Sequence, residues 1–463
     1  MASGFDYARN SPSNRQPTLG VSDQEIAWST GRSMLLGRLR GAVAVFAVIV
    51  QQGAFVSSPV LARFAATIGS DDPQANILNT LAVLLNILLI VPYCLLYYRQ
   101  FINVIFRNKV AVALTALMFL SVIWSIHPDV TLRRDINYVS TVLTAFFLAS
   151  QFEIDDIMKV LSWGIAISVV FSFLFVAAFP TEAIHQQSQW HLTNFENVAG
   201  DWKGVFSHKN VLGHVMAVGV LAELYILTAT KLRSFWFLIW HLLLLCGCIA
   251  LIMLAHSATA LVLAFLYLLG AILFMLLQRA GQYFMVFLVI FAVVGLTIGA
   301  AFWADPDLIL GMLGSDPTFT GRTAVWGLVL DEIWQRPFLG WGYSAMWLKG
   351  DTITTTISSA VGWEVPEAHN ALLEVALGLG LVGVVTVVAF VAISAWRAIR
   401  CIAVGRYKIG IYSLTFFIGI NLSGITESML VQNQSIEWVV FSMLSVCCGL
   451  EIARQQISNG LSY

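Results

Sequence analysis

The chain has 463 residues, of which 58% are hydrophobic and only 11% charged, against about 25% charged in soluble domains. That balance excludes a soluble globular protein and predicts an all-α, polytopic membrane protein. A net charge of −1 excludes a general nucleic-acid binder.

Residues 1–33 are polar and poor in aromatics, which predicts a disordered cytoplasmic tail and no cleavable signal. A helix needs about 20 apolar residues to cross a bilayer. Twelve spans follow, at 41–58, 76–97, 109–125, 137–151, 158–179, 209–230, 234–254, 257–277, 282–303, 370–396, 409–424 and 435–453. Nine of them lie within 34–303 and three within 370–453, and 454–463 is a second cytoplasmic tail. With the N-terminus placed in the cytoplasm, seventeen of the 25 Lys and Arg fall on the inner side, so both ends are read as cytoplasmic. Eight remain outside: Arg63, Arg133, Arg134, Lys203, Lys209, Arg322, Arg336 and Lys349. A cation there runs against the general bias, and is either a snorkelling anchor or a ligand for something anionic. The six cysteines all lie in or beside apolar runs, so no disulfide framework and no metal site is predicted. Cys246-Gly-Cys248 lacks the second ligand pair a zinc site needs.

Three outer connections are substantial: 126–136, 180–208 and 304–369. The second leads into Gly204-Val205-Phe206-Ser207-His208-Lys209-Asn210 at the mouth of the sixth span. A lysine and an amide at a helix start hold phosphate oxygens, or simply cap the helix. In the third, Val325, Trp326, Leu328, Val329, Ile333 and Trp334 recur at helical spacing. They predict a helix along the membrane surface, with Arg322 in its first turn, where free N–H groups add to an anion site. Trp326, Trp334, Trp341, Trp347 and Trp363 are interfacial anchors or stacking surfaces for sugar rings. This large loop, between spans nine and ten, closes on His369. A histidine at the membrane boundary can stay neutral and act as a general base, or be structural. Asn370 and Glu374, spaced i,i+4, share a face below it, and Glu374 is placed to orient the ring.

Together these stretches resemble the O-antigen ligase and polysaccharide polymerase superfamily of bacterial envelopes. The matching pieces are Phe206-Ser207-His208-Lys209-Asn210-Val211-Leu212-Gly213, Gly321-Arg322-Thr323-Ala324-Val325-Trp326, Arg336-Pro337-Phe338-Leu339-Gly340-Trp341-Gly342-Tyr343 and His369-Asn370-Ala371-Leu372-Leu373-Glu374, followed by Gly378-Leu379-Gly380-Leu381-Val382-Gly383. They cover residues 200–390, and the stretch from Gly340 to Trp347 is most like the exopolysaccharide polymerase branch. The resemblance implies glycosyl transfer without metal or cofactor at the periplasmic face of the inner membrane. The donor is an oligosaccharide on undecaprenyl pyrophosphate, and the acceptor a sugar hydroxyl of the growing polysaccharide. The family's loop arginine maps onto Arg322 and its histidine onto His369, as the catalytic pair. Lys209, Asn210, His208, Asn370, Glu374 and Arg336 fall around the substrate. Membrane lipid, chain-length regulators and export proteins are the further partners implied. One stretch departs: where the family often carries a cation after a serine, this chain reads Ser257-Ala258. Either Lys209 or His256 takes that place, or the two stretches do not correspond. Two alternatives stand beside polymerisation. One is a ligase acting on a lipid A core acceptor. The other is a transporter of the lipid-linked glycan, for which no internal repeat speaks.

Overall fold

A computed structural model of the chain describes residues 23–53, 77–186, 198–231, 234–279, 322–348 and 350–458. Residues up to Ala42 form one compact unit and Val43–Tyr463 a second; everything below concerns the second. Fifteen helices are described: α1 Asp23–Gln51, α2 Ile77–Leu96, α3 Tyr98–Arg107, α4 Lys109–Ser121, α5 Pro128–Gln151, α6 Ile154–Ala178, α7 Pro180–Ala183, α8 Lys209–Ala229, α9 Phe235–Leu254, α10 Ala258–Arg279, α11 Arg322–Gln335, α12 Thr352–Val361, α13 Ala371–Ala403, α14 Tyr407–Ser423 and α15 Ile436–Ser458. No sheet occurs among the described residues; Ile184 and Trp202 make an isolated antiparallel bridge.

Seven helices (α2, α6, α8, α9, α10, α13 and α15) are long and apolar enough to cross a membrane, and the bent pair α3–α4 raises the number to eight. The chain is thus an all-helical, multi-pass membrane protein. The expected ninth span, 282–303, and the loop residues 304–321 lie outside the described residues, as does the end of the first span. The apolar spans differ in what they face. In α8, 83% of the spanning window is buried against only 28% in α2 and α9, so α8 is a central element and the other two present their apolar sides to lipid.

Three expected spans take a different form. The third, expected at 109–125, is the short helix α4, and α3 meets its start at 85°. Asn108 sits at the bend with φ −123° and donates through Nδ2 to Val104 O at 2.7 Å, the local side-chain bonding by which Asn competes with a helix. The fourth is longer than its apolar run. Pro128 at the first turn, with Asp129 beside it, starts α5 well before residue 137, and the polar Arg134 and Asp135 are buried within it.

The tenth, α13, is broken at Gly380, where the backbone turns to φ 61°, ψ −161°. A helix broken at membrane depth leaves carbonyls and N–H groups that need partners inside the protein. They find them in the stretch after α11. Trp341 N donates to Leu377 O (2.9 Å), Gly342 N to Gly378 O (2.9 Å), Leu381 N to Pro337 O (2.8 Å) and Val382 N to Phe338 O (3.3 Å). The Arg336–Tyr343 and Gly378–Gly383 stretches are therefore two halves of one clasp. The backbones approach so closely that a Cβ on Gly380 would lie 2.3 Å from Phe338 C, and the positive φ adds strain for any L side chain. Gly380→Ala is therefore expected to abolish accumulation of folded protein, whereas Gly327→Ala, with nothing within 4 Å of its Cβ, should accumulate normally. Membrane-fraction yield and detergent melting check both.

Candidate functional site

Four chain segments meet at one mouth: the starts of α8, α11 and α13, and the 424–435 connection between α14 and α15. Glu427 in that connection ties them together. Its Oε1 accepts from Arg322 Nη2 at 2.9 Å and from Asn210 Nδ2 at 2.9 Å. Its Oε2 lies 4.0 Å from His369 Nδ1. Ala371 N donates to Gly424 O at 2.8 Å and Asn370 Nδ2 to Ile425 O at 3.1 Å, so the connection is pinned to the head of α13.

His369 adopts φ 49°, uncommon outside glycine, and its neighbours hold it there. Ala368 O accepts from Trp326 Nε1 at 3.1 Å, Ala368 N donates to Glu374 Oε2 at 2.8 Å, and Asn370 caps α13 by accepting from Leu372 N and Leu373 N. Nδ1 faces Glu367 Oε1 at 3.3 Å but is not aligned for a hydrogen bond. Burial, then the Arg322 cation and His208, holds the imidazole down at about 3, so it is neutral at physiological pH. Burial, then the carboxylates of Glu427 and Glu374, pushes the Glu367 carboxyl up. The ring of His369 also lies 5.7 Å from that of Trp363.

The expected site residues divide into two groups. Arg322, Asn210 and His369 come together around Glu427. His208 stands beside them, capping α8 by accepting from Asn210 N at 3.3 Å, with burial and the Lys209 and Arg322 cations lowering it to about 4. Lys209 Nζ instead reaches Asp201 Oδ2 at 2.7 Å, and His256 Nδ1 reaches Asp201 Oδ1 at 2.8 Å. The two alternatives for a second cation therefore share one carboxylate. Glu374 does not touch the imidazole, since its oxygens accept from Trp347 Nε1 at 2.9 and 3.1 Å and from Ala368 N; it positions the backbone before His369. Arg336 stands apart, its guanidinium 4.1 Å over the Trp341 ring and donating to Trp124 O, at the clasp.

Glu427 and Glu367 were not among the expected residues. Glu427 lies in a short connection without a cation or aromatic motif, but the run Thr426-Glu427-Ser428 and Gln432-Asn433-Gln434-Ser435 between two apolar spans is a polar signal. Glu367, His369 and Glu427 bring ligand atoms within 4.8 Å of one another, a set that could hold a metal ion; the Arg322 guanidinium already places a positive charge on Glu427.

Residues 241–388 match the O-Antigen ligase family, a segment that holds Arg322, Arg336, His369 and Glu374. Over 304 residues the chain is 25% identical to the exopolysaccharide production protein ExoQ of Rhizobium meliloti, covering 64% of this chain and 66% of that protein. The resemblance carried by the motifs thus extends to most of the chain: it is a multi-pass membrane protein with a segment that matches the O-Antigen ligase family, and it is similar to a protein of exopolysaccharide production.

Proposed function

We propose that the chain polymerises exopolysaccharide repeat units at the periplasmic face of the inner membrane, transferring an oligosaccharide from undecaprenyl pyrophosphate to a sugar hydroxyl. The observation that carries this reading is the convergence of an anion-binding cation and a neutral imidazole on Glu427. The acceptor oxygen forms a bond to the anomeric carbon as that carbon's bond to pyrophosphate breaks. The leaving pyrophosphate keeps the electron pair and needs positive charge rather than a proton, which Arg322 supplies at the first turn of α11. The acceptor proton passes to His369. Nδ1 faces the Glu367 carboxyl at 3.3 Å and the Glu427 carboxylate at 4.0 Å, which favours Nε2 as the accepting atom, and the Glu427 carboxylate stabilises the imidazolium as it forms. Arg322 is held by Glu427; donor phosphate competes for that guanidinium and leaves the carboxylate to His369.

The test is Arg322→Lys. A planar guanidinium makes two parallel hydrogen bonds to phosphate oxygens that an ammonium does not reproduce. Loss of most glycan transfer, with normal accumulation in the membrane, is expected from purified protein given lipid-linked repeat units. Near-normal product ladders would reduce Arg322 to an interfacial anchor. The same assay separates polymerisation from the alternative: a ladder marks a polymerase, and transfer to lipid A core marks a ligase.

A further inference from the structure

Beside His369 lies a cavity of about 120 Å³, some ten times the ~10–15 Å³ a single water requires. Glu367 belongs to both places. Its carboxylate lines the cavity and stands 3.3 Å from His369 Nδ1. Ser428, also on the wall, is 3% exposed, and its hydroxyl makes no hydrogen bond. A buried hydroxyl left without a partner costs free energy that a ligand would return. Three lining residues, Ser344 (φ 52°), Trp347 (φ 67°) and Val431 (φ 61°), hold the left-handed conformation that a branched residue such as valine adopts only when its surroundings impose it.

The charge of the wall selects the ligand. Glu367, Glu374 and Arg134 all line it. The arginine is buried and donates to the carbonyls of Ser344 and Met346, so part of its donor capacity is committed. Burial pushes the Glu367 carboxyl up to about 8, so at physiological pH Glu374 is left opposite Arg134 and the wall gives a phosphate or a uronate no counter-ion of its own. It favours a neutral group rich in hydroxyls, which can accept from the protonated Glu367 and donate to Glu374. Glu374, although it accepts from Trp347 and Ala368, has lone pairs to spare, and the Gln432 amide on the same wall both donates and accepts.

We propose that this cavity seats one neutral hexosyl residue of the acceptor glycan, the residue whose hydroxyl is presented to His369. The inference rests on the transfer reaction proposed above. Full-length protein in lipid nanodiscs, titrated with methyl glucoside, methyl galactoside, methyl mannoside and methyl glucuronide and followed by saturation-transfer NMR, tests it. At least one neutral hexoside is expected to bind, with the glucuronide about tenfold weaker or more. Ser428→Ala should weaken hexoside binding about fivefold, the loss of one hydrogen bond, and Gln432→Ala, at an exposed position that leaves the fold intact, should weaken it similarly. In transfer assays both should raise the acceptor KM and leave hydrolysis of the donor by water unchanged. Absence of hexoside binding, equal binding of the glucuronide, or binding unaffected by both variants would overturn the assignment. A wild-type protein that binds hexosides yet makes no glycan product would instead overturn the transfer reading and leave the cavity's ligand class standing.

Discussion

His369→Ala is expected to lower turnover by about 10²–10⁴-fold, the range for loss of a positioned acid–base group, while donor affinity changes little. The split follows from the geometry. The Arg322 and Asn210 side chains hold Glu427 from one side, and the imidazole approaches the same carboxylate from the other, 4.0 Å away. In the proposed transfer, phosphate contacts and proton acceptor are therefore different side chains on different chain segments. Burial lowers the imidazole to about 3, so it is uncharged and able to accept a proton at any pH from about 5 upward. As a weak base it depends on the adjacent Glu427 carboxylate to stabilise the imidazolium. The measurement is donor affinity alongside single-turnover rate. Weaker donor binding with an unchanged rate at saturation would make His369 a ligand contact and place the base elsewhere.

Glu427→Gln is expected to move binding and rate in opposite directions. Removing the carboxylate leaves Arg322, whose side chain is 12% exposed, without its counter-ion, and an uncompensated cation in a nearly buried position attracts an anion more strongly. Donor affinity should rise about tenfold, equivalent to ~1.4 kcal/mol. Turnover should fall by at least about tenfold, because the imidazolium loses the charge that stabilises it. A carboxylate with only a structural role would give lower affinity and lower rate together, or neither, with a lower melting temperature. Either result would sink the exchange of Glu427 between Arg322 and His369.

Legibility in the sequence followed the range of the interactions. The apolar runs and the 3.6-residue spacing of Val325, Val329 and Ile333 are local, and the helices they predict are present from Arg322 to Gln335. Arg322 and His369 stood out because each opens a helix at the end of a polar stretch. The roles of the site residues were a matter of partners. Glu427 meets Arg322 from 105 residues away and Asn210 from 217, and no local pattern encodes such a meeting. The i,i+4 spacing to Asn370 places Glu374 to orient the imidazole, but its oxygens accept instead from Trp347 and Ala368. Three tryptophans of the loop proved to be scaffolding for His369: Trp326 bonds Ala368 O, Trp347 bonds Glu374 and Trp363 flanks the ring. The break in α13 was missed because hydropathy is blind to the sign of φ at Gly380.

That break has a consequence for biogenesis. When α13 enters the bilayer, Leu377 O, Gly378 O, Leu381 N and Val382 N at its break are the groups that the preceding loop bonds, and a backbone group left unpaired in hydrocarbon costs several kcal/mol. The segment that bonds them, 337–342, is synthesised earlier and must already stand on the side where the head of α13 emerges. Insertion of the tenth span and docking of that loop are therefore one event, and the head of α13 that carries His369 is completed only in a chain whose loop lies on the same side.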